Sequence, residues 1–311
     1  MLRSIVHAGV DYVQAVVSGM WAIRGDIAPD TLISLMSQPE PTVEAGRDEH
    51  GRWMAAKPSI KGNVPGKKIA VIPIEGVLTK DGPSWWGSNY NTIAKAVADA
   101  EANTEVSHIV LAVDSPGGEV PGTLETGAVI AKAAKTKPVT AMVDGQAASA
   151  AYWLASQASQ IVLTPSGSVG SVGVRTMHMD LSKYLENEGV AITELSAGEH
   201  KTEWSRYKPL GDGAKADMQA KLDEVHQQFI SAVAQGRGSK ASKDIQDRRF
   251  GEGRMFQASD AVRHGLVDSV QSSRDFYASI MPQPEAPTAG QAGGNFPFRL
   301  EVDSARAEAG F

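Results

Sequence analysis

Short apolar runs alternate with stretches of helical periodicity through the middle of the chain. Apolar runs without polar alternation predict strands buried on both faces of a sheet, at residues 69–78, 108–113, 138–143 and 160–164. Apolar positions spaced by three and four predict helices, at residues 91–101, 120–135, 149–157, 180–188, 214–236 and 257–264. A further strand is predicted at residues 190–195. This order of elements predicts an α/β fold with right-handed crossovers.

The two ends of the chain lack this pattern. We predict an N-terminal helical arm over residues 1–36 and, because of its prolines and glycines, a linker over residues 37–68. A folded domain then covers residues 69–281, and residues 282–311 are predicted to form a flexible tail. Polar and charged side chains interrupt the apolar residues 4–23, so we expect neither a signal peptide nor a membrane span there.

Composition narrows the chemistry that the chain can support. The net charge is −6 and no basic stripe is visible, which argues against a nucleic-acid partner. The absence of cysteine excludes disulfides, thiolate metal sites and a cysteine nucleophile. No H-E-x-x-H motif occurs, and the glycine-rich residues 167–173 lack the spacing of a phosphate loop. We therefore predict no metal site and no cofactor.

One serine lies in an unusual setting at residues 137–157. Ser149 stands among alanines, after the predicted strand 138–143 and a predicted turn at Asp144-Gly145, where a helix begins. Backbone amides and the helix dipole at such a position can influence a hydroxyl, and the small neighbours leave room for another backbone. The alternative is an N-cap serine on a buried helix, which this stretch alone favours.

Two further segments offer backbone amides near this serine. Gly117 and Gly118 follow a predicted strand, and Ala150 follows the serine itself. Two amides that point at one position make an oxyanion hole, and the ends of neighbouring parallel strands lie side by side. The alternative for the glycine pair is a tight strand-to-helix turn.

A serine nucleophile also needs a general base. No G-x-S-x-G motif surrounds Ser149, and the candidates His178, His200 and His264 are each predicted to be surface or satisfied histidines. A lysine can serve when burial keeps it neutral. Lys201 follows the predicted strand 190–195, although its spacing alone predicts an exposed side chain.

Several segments together resemble the signal peptide peptidase A family of Ser–Lys peptidases. They are VDSPGGEV (113–120), VDGQAASAAYWLAS (143–156), GSVGSVGV (167–174), SAGEHKTEW (196–204) and GRMFQASDAVRHGLVDSV (253–270). The resemblance implies a peptidase domain with a Clp-protease/crotonase-like spiral of βαβ units. It also implies Ser149 as the nucleophile, Lys201 as the general base, and an oxyanion hole from the amides of Gly117, Gly118 and Ala150.

The chain departs from the family pattern in two places. Alanines at 150 and 151 replace glycines that family members often have, which narrows the space beside the nucleophile. Glu199 and Glu203 flank Lys201, and a carboxylate directed at the ammonium would oppose base function, so we expect both to point away.

Among family members, the chain most resembles the capsid-assembly (prohead) proteases of tailed phages. That resemblance implies capsid or scaffold proteins as substrates, a homo-oligomeric ring whose sites can be shared between subunits, and a location in the host cytoplasm within the prohead. The alternatives are a bacterial signal-peptide or membrane-protein-fragment peptidase of the same family, a crotonase-type acyl-CoA enzyme, and an inactive capsid or scaffold component.

Overall fold

A computed structural model describes residues 21–23, 59–61, 68–81, 87–240 and 252–281. Most of the predicted N-terminal arm and linker, and the whole of the predicted tail, lie outside the described residues. The two short described segments before residue 68 are both strands. Residues 59–61 of the predicted linker therefore belong to the sheet.

One sheet contains nine strands of the described residues. They are β1 (Trp21–Ile23), β2 (Ser59–Lys61), β3 (Lys68–Leu78), β4 (Val106–Glu119), β5 (Val139–Ala148), β6 (Gln160–Leu163), β7 (Ser168–Gly170), β8 (Met255–Gln257) and β9 (Ser269–Val270). The main order is β2-β3-β4-β5-β6-β9, while β1 pairs with β4, and β7 pairs with both β5 and β8. The run from β3 to β9 is parallel.

Helices connect the parallel strands. Within the described residues they are α1 (Tyr90–Ala102), α2 (Thr123–Ala133), α3 (Ala150–Ser156), α4 (Ser182–Asn187), α5 (Asp212–Arg237), α6 (Ala258–Arg263) and α7 (Ser273–Ile280). Each of the first three helices lies between two consecutive parallel strands, so the predicted α/β alternation is confirmed.

Alternate residues of the central strands face two different layers. Ile109, Leu111 and Val113 of β4 are buried in the main core, together with residues of α1, α2, α3 and α5. Val110 of the same strand lies in a smaller cluster that Phe276 of α7 covers. Burial on both faces explains why these strands are apolar without interruption.

Two strands run further than the hydrophobic pattern predicts. β4 continues through Gly117-Gly118 and β5 continues through Asp144-Gly145, so the turns predicted at these places are wrong. The strands stay paired because the register shifts before Ser115, which then pairs with Ala147. The shift lets Asp144 and Gly145 stay within β5, which then ends directly before Ser149.

The strand predicted at residues 190–195 does not form. These residues are exposed and pair with no strand of the described residues; the side chain of Leu195 is 92% exposed. Their apolar composition is typical of a strand, but a strand is stable only where a neighbouring edge satisfies its backbone.

The C-terminal half of α5 packs against the short helix α3. Phe229 stacks on Trp153, with ring centroids 4.5 Å apart and an interplanar angle of 18°. Met218 and Leu222 belong to the amphipathic pattern that predicts the helix 214–236, but both are only half-buried. The helix therefore contributes to the core mainly through its C-terminal half, which includes Phe229 and Val233.

Two glycines of α5 provide a matched test of this packing. A Cβ at Gly236 would lie 2.1 Å from the Ser156 carbonyl oxygen, whereas Gly213 has no atom within 4 Å of its Cβ position. We expect Gly236→Ala to lower the free energy of unfolding by about 2 kcal/mol or more, because backbone must move. Gly213→Ala should raise it by up to about 1 kcal/mol through helix propensity. Denaturant unfolding checks both; similar effects would contradict the packing of α5 on α3.

Candidate active site

Ser149 occupies a strained turn between β5 and α3. Its φ of 52° and ψ of −120° lie in a region that residues with a side chain rarely adopt, and the residue is 0% exposed. The backbone amide donates to the carbonyl of Gly170 over 2.7 Å, which holds the turn against β7. A serine in a sharp, strained strand-to-helix turn is typical of hydrolase nucleophiles, although no G-x-S-x-G motif marks it here.

The hydroxyl of Ser149 does not cap the helix. A capping oxygen would accept from an amide in the first turn of α3, and no such bond forms. The hydroxyl instead donates to the carbonyl of Gly173 over 3.3 Å. Ser149 therefore stands at the N-cap position of a buried helix, as the alternative predicted, but its oxygen caps no amide and points toward the segment after β7.

The glycine-rich segment 167–173 forms the wall beside this hydroxyl. A Cβ at Gly170 would lie 2.4 Å from the carbonyl oxygen of Arg254, so only glycine fits there. Ser171, with a φ of 55°, donates its amide to the same carbonyl over 2.7 Å and is buried. The segment therefore packs closely against Arg254, the residue directly before β8. Ser171 is a second buried serine near the site, and the sequence analysis did not identify it as a candidate.

The glycine pair of β4 lies against β3. A Cβ at Gly118 would fall 1.8 Å from the carbonyl oxygen of Leu78, so this close approach also requires glycine. The amide of Gly117 donates to Ser115 Oγ over 3.1 Å, and that hydroxyl donates to the Gly76 carbonyl over 2.6 Å. Gly117 thus has its amide engaged inside the protein, which leaves Gly118 as the stronger candidate for an oxyanion donor.

A cavity of about 560 Å³ adjoins the serine through Gly173. The segment after β7 lines one side and α5 lines another, with Leu222, Asp223 and His226. His226 Nε2 is buried and has no hydrogen-bond partner among the described residues. The cavity combines apolar and charged walls and has a size that accommodates peptide side chains. It could not be predicted from the sequence, because its residues come from three distant segments.

Lys201 is exposed in a single chain. It lies in a turn in which its amide donates to the Gly198 carbonyl over 3.2 Å. Within the part of the chain that the structure describes, no hydrogen bond or ion pair joins its ammonium to Ser149 or to a carboxylate. The single chain therefore provides neither the buried lysine nor the contact with Ser149 that a working dyad needs.

The groups around Lys201 satisfy one another. Glu203 pairs with His200 Nδ1, so this carboxylate is directed away from the lysine, as the sequence analysis expected. His178 Nε2 bonds to the Ser205 carbonyl at 2.9 Å. Neither histidine is placed as a base for Ser149 by these contacts, which agrees with the prediction of satisfied or surface histidines.

Asp114 fixes the register shift that leads to Ser149. Its carboxylate accepts from the Gln146 amide over 3.2 Å, and a Cβ at Gly145 would lie 2.6 Å from the same oxygen. Burial, and then the nearby charge of Asp144, raise the pKa of Asp114 above its ordinary value, while the Gln146 hydrogen bond opposes the shift. The folded protein therefore favours the protonated form more than the unfolded chain does.

We expect Asp114→Asn to stabilise the protein in a pH-dependent way. Because the folded pKa is raised, the aspartate's contribution is fully present below the ordinary carboxyl pKa of about 3.9 and is lost as the pH rises through the folded value. The asparagine oxygen keeps the Gln146 bond. The free energy of unfolding of the variant should therefore match wild type near about pH 3 and exceed it at neutral pH. Asp144→Asn should weaken this trend, and a difference independent of pH would contradict it.

The described residues contain no helix with both the length and the apolar character needed to cross a membrane. The arrangement that they do contain is a buried serine at a strained strand-to-helix turn, beside a glycine pair at the end of the next parallel strand. A serine at a sharp strand-to-helix turn of an α/β sheet is also found in α/β hydrolases.

The chain belongs to peptidase family S49, because residues 131–286 match the model of that family. It is 29% identical to capsid assembly protease C of Escherichia phage lambda over 78% of this chain and 55% of that protein. It is 33% identical to Protease 4 of Salmonella typhi over 68% of this chain and 34% of that protein. The solved structure of an enoyl-CoA hydratase/isomerase family member aligns with this chain at a TM-score of 0.40 and 15% identity. The alignment covers 72% of this chain and 73% of that one.

These matches confirm the family predicted from the sequence. The chain spans about half the length of the phage relative. Phage and bacterial proteases both occur among its relatives.

Proposed function

We propose that this protein is a serine endopeptidase in which Ser149 is the nucleophile and Lys201 the general base. The observation that carries the proposal is the strained backbone of Ser149, whose φ of 52° has no role in capping α3. Such strain persists where the surrounding structure maintains it and is concentrated at active sites. In this mechanism the Ser149 oxygen attacks the carbonyl carbon of a peptide bond while the neutral lysine amine takes the hydroxyl proton. The C–N bond then breaks, the lysine gives the proton to the leaving amine, and water hydrolyses the acyl-enzyme ester to regenerate Ser149.

The developing oxyanion needs backbone donors beside the serine. We assign these to the amides of Gly118 and Ala150. Two observations support this choice: Gly118 needs its bare backbone to lie against Leu78, and Ala150 begins a helix without a capping side chain. The amide of Gly117 is bonded to Ser115 Oγ, so we place it in a supporting role.

We place Lys201 in the active site of a neighbouring subunit of a homo-oligomeric ring. The lysine is exposed in the single chain, and burial by a partner would favour its neutral form. The segment that leads to it carries exposed apolar side chains at Tyr184, Val190, Ile192 and Leu195. An exposed apolar segment with unsatisfied strand character is typical of a surface that a partner covers.

For the substrates, we propose scaffold and head proteins during phage capsid maturation, with cleavage in the host cytoplasm inside the prohead. The similarity to the lambda capsid assembly protease over 78% of this chain supports this choice. The second candidate is cleavage of signal peptides or membrane-protein fragments, which the similarity to Protease 4 favours. Incubation with a scaffold protein and with a signal peptide, followed by mass spectrometry, separates the two.

A serine-reactive fluorophosphonate tests the catalytic proposal. We expect the probe to label one residue, Ser149, and the Ser149→Ala variant to remain unlabelled. A crotonase-type acyl-CoA enzyme would not need this serine, and an inactive scaffold component would not label at all. Labelling of another serine, or none in the assembled protein, would reject Ser149 as the nucleophile.

A further inference from the structure

Near the end of β4, Gly117 and Gly118 have a strand on both sides. At one edge Gly117 and Gly118 pair with Val77 and Leu78 of β3. At the other edge β1 pairs antiparallel with the same segment: Trp21 with Glu119, Ala22 with Gly118, and Ile23 with Gly117. A stretch from near the start of the chain therefore lies along the glycine pair.

This second edge is available to β1 because the pairing of β5 with β4 ends before Gly117. The last pair between β4 and β5 joins Ser115 to Ala147, and Ser149 follows two residues later. β1 lies beside β4 where β5 no longer pairs with it, just beyond the end of β5. Ser149 directly follows β5. Since β1 is antiparallel to β4, its residue closest to the departure of β5 is Ile23.

The edge is suited to a polypeptide of almost any sequence. Glycines at 117 and 118 have no side chain, so another backbone can lie close to this edge. Addition of an extended peptide to a free sheet edge obtains its affinity from main-chain hydrogen bonds. A short edge beside a nucleophile fits an extended polypeptide better than a compact ligand.

We propose that residues 21–23, which pair with the Gly117–Glu119 edge of β4, act as an intramolecular competitor that keeps polypeptide substrates from this edge. The segment thereby competes with protein substrates for access to Ser149. The competition rests on the proposed role of Ser149 as the nucleophile. The pairing of residues 21–23 with the edge of β4 does not depend on that role.

Two proline substitutions in β1 disrupt its pairing with β4. The amides of adjacent residues in an antiparallel strand point to opposite sides, so Ala22→Pro combined with Ile23→Pro removes at least one bond to β4. The matched control is Ala22→Val combined with Ile23→Val, which keeps both amides and favours extended backbone. All chains are full length.

Hydrogen exchange in the Ser149→Ala background tests the occupancy without any cleavage. The prolines remove donors of β1, so this short strand should detach from β4 and release the β4 amides that donate to it. At least one amide of residues 117–119 should then exchange about tenfold faster. The double valine control should match the parent. A synthetic peptide of residues 18–26, added to the proline variant, should restore slow exchange. Equal exchange in the proline variant and its parent would overturn the proposed occupancy.

Fluorophosphonate labelling of chains with Ser149 intact tests the competition. The double proline variant should label several-fold faster than wild type, the valine control should not, and the added peptide should slow the reaction. Unchanged labelling of the proline variant would overturn the competition. If no chain labels at Ser149, the proposed function fails, while the exchange experiment still decides whether residues 21–23 occupy the edge.

Discussion

Replacing Ser149 by alanine is expected to abolish peptide cleavage and to leave the fold intact. The hydroxyl donates one hydrogen bond, to the Gly173 carbonyl, and loss of such a bond costs about 1 kcal/mol of unfolding free energy. Loss of the nucleophile removes the acyl-enzyme route altogether, so kcat/KM should fall to background. Turnover assays on a peptide substrate and thermal unfolding of the same samples measure the two effects.

Ser149→Gly separates the chemical role of the residue from its backbone strain. Both variants lack the hydroxyl, but alanine keeps the unfavourable φ of 52°, whereas glycine adopts it without steric cost. Relief of such strain is worth about 1 kcal/mol or more, and the greater chain entropy of unfolded glycine offsets part of it. We expect both variants to be inactive and the glycine variant to be at least as stable as the alanine variant. Activity in either variant, or a clearly less stable glycine variant, would contradict the assignment.

The sequence predicted the central strands β4 and β5 well because both are buried on their two faces. Ile109 to Val113 is apolar without interruption, and Val139 to Val143 is apolar except for the buried Thr140, a pattern that fits a strand covered on both sides. The ends of these strands were predicted less well. Asp144 and Gly145 are typical of a turn, but the Asp114 carboxylate and a register shift keep them in the strand.

The candidate site was only partly visible in the sequence. The alanines around Ser149 and the glycine pair at 117–118 indicated where backbones approach closely, and the structure places both at the edge of the sheet where β5 ends. The conformation of Ser149 could not be predicted, since its positive φ depends on the Gly170 carbonyl, which comes from another segment. For the same reason the cavity beside α5 was missed.

The proposed neighbouring subunit would explain two features of residues 190–201. The apolar pattern at Val190, Ile192 and Leu195 predicted a strand, yet the segment is exposed and unpaired among the described residues. A pattern that fits no place in the single chain is explained if its partner is another copy. The same explanation accounts for the exposure of Lys201, which follows the segment.

Mixing two inactive variants should therefore restore activity. Lys201→Ala subunits keep Ser149, and Ser149→Ala subunits keep Lys201, so a site built from one of each is complete. In a randomly mixed ring in which each site takes its serine from one subunit and its lysine from the next, about one quarter of the sites contain both residues. We expect about that fraction of wild-type kcat/KM, compared with background for either variant alone.

Lys201→Arg is the control that links this recovery to proton transfer. Guanidinium keeps the charge and much of the length of the lysine side chain but stays protonated, so this variant should be inactive alone. It should recover activity when mixed with Ser149→Ala, as Lys201→Ala does, because the lysine then comes from the other subunit. Wild-type activity should also increase with pH, since only a neutral amine accepts the serine proton. Activity of Lys201→Arg alone would reject the lysine base, and a demonstrably mixed ring without recovery would reject the shared site.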